Sequence, residues 1–212
     1  MQHLKNILVG FAISFVGSIP LGYLNVVGFD VFKKSGINSA CLYLLGVVFI
    51  EFFVILITLI FANKLISNKK LLQYIEAFSV VFMFFLAILF YTNASNSNSS
   101  AMLPQTTLSL PPLVLGVLLS CLNFIQIPFW LSWNLFLLNA KHIEITNKFK
   151  YSYLFGTSIG TFSGMLTLIL SLSFVTHQTD FLNKYLLQII IPLVFLGFGV
   201  LQGFKFYKKY LK

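Results

Sequence analysis

Glu51 stands alone in a long apolar run, and an acid in that setting is a group that can take up and release a proton. In the stretch 41–62, ten apolar or small residues precede it and eleven follow, which places it near the bilayer centre. A carboxyl there costs roughly 2.5–3.5 kcal/mol on insertion scales, so it is expected to face a polar interior with a partner. Two readings follow. Glu51 either couples proton movement or meets a substrate ammonium, or it is a structural carboxyl bonded to a neighbouring helix.

The second group of residues lies in SerIleProLeuGlyTyrLeuAsn, positions 18–25, preceded by Ser14 and Gly17. Pro20 has no N–H to offer the carbonyl of Val16, so the helix is expected to kink or break there. Gly22 would let another backbone approach, and Asn25 supplies both a donor and an acceptor. A related group occupies 113–138: Ser120, Asn123, Gln126, Pro128, Trp130, Trp133 and Asn134, with Pro128 expected to free the carbonyl of Phe124. Broken helices at corresponding places in two halves point to a substrate site at the membrane midplane. The plainer reading is two proline kinks whose polar groups are satisfied locally. On the substrate reading, Ser18, Pro20, Gly22, Asn25, Asn123, Gln126 and Pro128 line the path.

Gly156, Gly160 and Gly164 recur every four residues, with Ser152 in the same register. Such a stripe permits close helix approach and is a packing surface, within the chain or in a homodimer. Gly197, Gly199 and Gly203 form a weaker version, and Pro192 is a candidate kink. Glu76, beside Gln73 and Tyr74, reads as an interfacial, solvated acid. Cys41 and Cys121 lie far apart with no CxxC spacing and read as buried, inert thiols. His3, His142 and His177 form no ligand cluster. No metal and no cofactor is expected.

The elements that must hold these residues follow from composition. Of 212 residues 58% are hydrophobic and 9% charged, against about 25% charged in a soluble domain; the mean hydropathy is +0.91. The bilayer is therefore the expected solvent. Six runs approach the roughly 20 apolar residues needed to cross it: 7–27, 41–62, 74–91, 113–138, 154–175 and 186–206. Continuous rather than alternating apolarity predicts helices, not a barrel. The first run is too long for a signal-peptide core and reads as a retained helix. The uncharged loop 93–112 separates a first half, 1–92, from a second, 113–212, within one transmembrane domain. Three spans per half make the halves an inverted repeat. The fold class is thus all-α: a polytopic membrane protein with six transmembrane helices as two inverted three-helix repeats.

The net charge of +9 comes from fourteen lysines and no arginine, interspersed between the runs, which argues against nucleic acid as a partner. With six spans, 11 of the 14 lysines fall on the side shared by both termini. The positive-inside rule then puts both termini in the cytoplasm of an inner-membrane protein.

The 18–25 stretch resembles the signature in helix one of the LysE/RhtB family of amino-acid exporters. LysLysSerGly at 33–36 is similar to that family's basic, glycine-containing turn, and Glu51 to an acidic position in one branch. Asn123 with IleProPheTrp at 127–130 resembles the opening of the family's fourth helix. The resemblance implies an exporter of amino acids or related metabolites driven by the proton gradient, with Glu51 as the coupling group. A metal-ion or other small-solute exporter, and a transmembrane thiol-redox protein using Cys41 and Cys121, are the alternatives.

Overall fold

A computed structural model describes residues 2–19, 22–67, 70, 73–74, 76–78, 80–81, 84–85, 87–88, 91, 110–145, 148–177 and 191–210. Pro20, nearly all of the 93–112 loop and Lys184 lie outside the described residues. The regular elements described are all helical, as hydrocarbon requires of a spanning chain, because a helix satisfies its own backbone polar groups. They are α1 (Gln2–Ser18), α2 (Tyr23–Ser67), α3 (Pro112–Cys121), α4 (Gln126–Asn139), α5 (Phe149–His177) and α6 (Ile191–Tyr210). Among the described residues Tyr23–Phe61 and Phe149–Phe174 are long and apolar enough to cross a membrane, and α3 with α4 make a third such stretch when taken as one broken span.

The first expected span, 7–27, is divided. Helix α1 stops at Ser18 and α2 starts at Tyr23. The expected basic loop between the first two spans shrinks to one residue. Helix continues through Lys33 and Lys34, assisted by an Asp30–Lys34 ion pair at 3.2 Å and i,i+4 spacing. Gly36, with φ 78° and ψ −177°, then turns the chain in a backbone region suited to glycine. Residues 23–31 are buried on every face, so this short segment is an internal helix.

Segment 37–67 is two-faced. Leu42, Leu45, Phe49, Phe53, Ile57 and Ile60 are exposed, while Tyr43, Leu44, Val47, Ile55, Thr58 and Leu59 are buried. An exposed stripe that apolar belongs against lipid. Glu51 lies on the buried side of this helix by spacing.

Close contacts set the relative directions. A Cβ at Gly160 would lie 2.5 Å from the Phe11 carbonyl oxygen, one at Gly164 would lie 2.7 Å from that of Phe15, and one at Gly156 would fall on that of Ile7. Both partners advance by four, so α1 and α5 run parallel with backbones touching. Gly46 and Gly116 do the same between α2 and α3, where an added Cβ would fall on the carbonyl oxygens of Leu113 and Tyr43 respectively. Glu76 pairs with Lys209 at 2.6 Å, while Gly203 lies beside Val80 and Gly199 beside Phe84. The helical residues described within 73–91 therefore run antiparallel to α6. Glu76 is less solvated than its sequence position suggests.

One end of the bundle is clasped. Asn6, fully buried, donates to the carbonyls of Glu144 at 2.7 Å and Phe149 at 2.9 Å and accepts from Gln2. Lys5 donates to the carbonyl of Lys141 at 3.2 Å. Helix α4 ends here with His142 N–H bonded to Leu137 O and Lys141 N–H to Leu138 O. That is a Schellman closure in which Lys141, at φ 55°, fills a place usually held by glycine.

Candidate functional site

The second broken helix departs from expectation in where it breaks. Pro128 was expected to free the carbonyl of Phe124, yet that oxygen accepts the N–H of Ile127. The break falls at 122–125, between α3 and α4, with a bend of 72°. Pro128 is the third residue of α4, in the first turn, where a missing N–H costs no intrahelical bond. Asn123 lies inside the break instead. Its side-chain Oδ1 is buried with no hydrogen-bond partner among the described residues.

The two breaks are built alike. Asn25, in the first turn after the first break, donates to the carbonyl of Ser18 at 2.9 Å. Gln126, the first residue after the second, donates to the carbonyl of Ser120 at 3.0 Å. Each amide thus returns to the end of the helix just left, where the Ser120 carbonyl also accepts the Asn123 N–H at 3.1 Å. Tyr23 joins the two places, its hydroxyl donating to the carbonyl of Leu119 at 2.5 Å. Tyr43 bonds the carbonyl of Leu24 at 3.0 Å. So Ser18, Asn25, Asn123 and Gln126 are gathered in one region. Pro20 lies outside the described residues. Gly22 was expected to admit another backbone, but a Cβ there would meet no described atom within 4 Å; the close approach falls to Gly17, where a Cβ would lie 2.9 Å from the Phe129 ring.

Glu51 lies one helical turn, about 5 Å, beyond the second break along α4, since its partner Trp130 follows Gln126 by four residues. Trp130 Nε1 donates to Glu51 Oε1 at 2.9 Å; Thr161, on α5, is among the buried polar residues. Thr161 is itself 2.5 Å from the hydroxyl of Ser14. A hydrogen bond thus ties α4 to the Glu51 carboxyl on α2, and a second ties α1 to α5. The carboxyl takes part in no ion pair among the described residues.

A second polar cluster lies one turn further along. Asn134 Nδ2 donates to Thr58 Oγ1 at 3.0 Å and its Oδ1 accepts from the Tyr153 hydroxyl at 2.8 Å. All three residues are buried. Tyr153→Phe should leave the Asn134 oxygen unpaired and cost about 1–2 kcal/mol. The expected reading is a fall of roughly 2–8 °C in melting temperature in detergent; an unchanged transition would show that the cluster adds nothing.

Several of these residues carry no sequence signal of their own. Tyr23, Thr161 and Tyr153 look like ordinary span residues, and Gly46 and Gly116 are isolated glycines. Asp30, only 2% exposed, falls in what reads as a loop. Cys41 and Cys121 are free thiols, the first partly buried and the second exposed.

No family model matches the chain, and no curated protein or solved structure matches it.

Proposed function

We propose that this chain is a six-span inner-membrane exporter of amino acids or related small metabolites, built from inverted halves 1–92 and 113–212 and coupled to the proton gradient. The observation that carries the reading is the meeting of two broken helices at Tyr23 and Leu119, one turn along α4 from a carboxyl held by Trp130. A helix start carries partial positive charge and a helix end partial negative charge. The positive end of the α4 dipole suits a substrate carboxylate, and the buried Asn123 oxygen suits an ammonium. Glu51, reached from the same region, carries the coupling proton. The resemblance to LysE/RhtB exporters supports the same reading. Membrane lipid covers the outer faces, and the stripe at Gly156, Gly160 and Gly164 is used within the chain, against α1, rather than for a homodimer.

The deciding experiment is efflux from proteoliposomes against a panel of amino acids, with and without an imposed pH gradient. Gradient-dependent movement of at least one amino acid is expected. Movement of none, by protein that is folded and inserted, would overturn the proposal.

The lysine asymmetry places both termini in the cytoplasm, and the clasp of Asn6 and Lys5 on 141–149 agrees with one shared side for these segments. In a background lacking Cys41 and Cys121, an impermeant maleimide on intact cells should label Ser35→Cys and spare Ala140→Cys, both exposed positions. The opposite labelling would invert the topology.

A further inference from the structure

Four lysines that a substrate path does not use gather at the clasped end of the bundle. They are Lys5 on α1, Lys141 in the turn after α4, and Lys148 and Lys150 around the start of α5. Lys5, Lys141 and Lys148 are exposed and Lys150 is partly so. The described residues of α1 and of 140–155 include one acid, Glu144, and none of the four lysines is ion-paired among the described residues.

Three features set them apart from lysines that merely snorkel to a membrane edge. The frame is fixed, because Asn6 bonds the carbonyls of Glu144 and Phe149 and so ties the turn and the start of α5 to α1. The ammonium of Lys5 is brought to the turn, 3.2 Å from the Lys141 carbonyl oxygen, and keeps two N–H donors for another oxygen. Lys141 holds φ 55°, a region where glycine is unstrained and a lysine is not, so the turn itself gives no reason for a lysine.

The surface beside the lysines is apolar. Leu4 and Leu8 on α1 are 61% and 57% exposed, and Phe155 on α5 is 59% exposed. Gly156 meets Ile7 and Gly160 meets Phe11 across the parallel pair. Leu8 and Phe155 therefore lie at nearly one height, and Lys5 and Lys150 at nearly another. At 1.5 Å per residue the two heights differ by about 5–8 Å, with the cations nearer the helix starts. A soluble anion gains nothing from such a surface, whereas an anionic phospholipid matches both parts with its phosphate and its acyl chains.

We propose that the clasp binds the phosphate of an anionic phospholipid through Lys5, Lys141, Lys148 and Lys150, with the acyl chains along Leu4, Leu8 and Phe155. A lipid held there bridges α1, the turn and α5, and so braces the parallel pair at its clasped end. The site takes one lipid class and is distinct from the general lipid cover of the outer faces.

The test uses the full chain in detergent and reads its unfolding midpoint. The probes are dioleoylphosphatidylglycerol, dioleoylphosphatidylcholine and glycerol phosphate, the last a headgroup without tails. Phosphatidylglycerol at about ten times its Kd should raise the midpoint by roughly 3–6 °C, and the other two probes should not. Lys5→Gln and Lys141→Gly should each weaken phosphatidylglycerol binding about fivefold, and together about 25-fold. Lys141→Gly also removes the left-handed strain, so its lipid-free midpoint should not fall, which separates binding from folding. Lys205→Gln with Lys208→Gln, at exposed lysines of α6, should bind like wild type. Should Lys5→Gln fail to fold, Lys141→Gly with Lys150→Gln decides by the same titration. Wild-type affinity in the doubly substituted clasp overturns the proposal, as does equal weakening by the α6 pair. Equal stabilisation by phosphatidylcholine, or by glycerol phosphate at the same concentration, overturns it too, the second by making the clasp a site for soluble anions.

Discussion

Glu51→Gln should yield a folded, inserted protein that exchanges substrate across the membrane but no longer concentrates it, with gradient-driven accumulation down by about 100-fold. Glutamine is nearly the same size. Its carbonyl can still accept from Trp130, which donates at 2.9 Å in the present structure. The site therefore keeps that hydrogen bond while losing the proton. Glu51→Leu makes the complementary case: it strands the Trp130 N–H, at about 1–3 kcal/mol for a buried unsatisfied group, and should lower stability as well as transport. Counterflow of a labelled amino acid in proteoliposomes separates exchange from accumulation. Near wild-type accumulation by Glu51→Gln, with an unchanged pH profile, would reduce Glu51 to a structural carboxyl.

Gly160→Leu should abolish recovery of folded protein from detergent. The new Cβ would sit 2.5 Å from the Phe11 carbonyl oxygen and 2.9 Å from the Ser14 Cβ, both on α1. Neither neighbour is the loose end of a flexible chain, so α1 and α5 must separate. Overpacking a core costs about 1–3 kcal/mol in favourable cases, and separation here would also break the Ser14–Thr161 contact. Gly160→Ala should be milder, and size-exclusion profiles of the pair should grade with side-chain volume. A monodisperse Gly160→Leu protein with wild-type thermal stability would contradict backbone contact between these helices.

How much of this was readable from residue order depends on the range of the interaction. Apolar runs declare helices because lipid forbids unpaired backbone groups, and Glu51 declares itself because an acid in hydrocarbon is costly. The glycine stripe announces a close contact through its spacing alone. Those conclusions need only local composition and period. Where the helices break was less legible. Proline marks a place where a bond is missing, but Pro128 falls where helices lack that bond anyway, so the actual break lies at Asn123, stabilised by the Gln126 amide. The helical run through Asp30 and Lys34 was read as loop because charge near an apolar run signals an exit from the membrane; burial of Asp30 with its own i,i+4 lysine removes that signal.

Partnership was invisible in the sequence. Tyr23 and Leu119 are 96 residues apart, Ser14 and Thr161 147 apart, and Glu51 and Trp130 79 apart. Nothing in residue order says which hydroxyl turns toward which carbonyl. Composition and periodicity determined the solvent, the helices and the presence of one costly acid. Packing α1 against α5, and α2 against both α4 and α5, decided which groups that acid meets, because hydrogen bonds reach about 3 Å and only the assembled helices bring such distant residues that close.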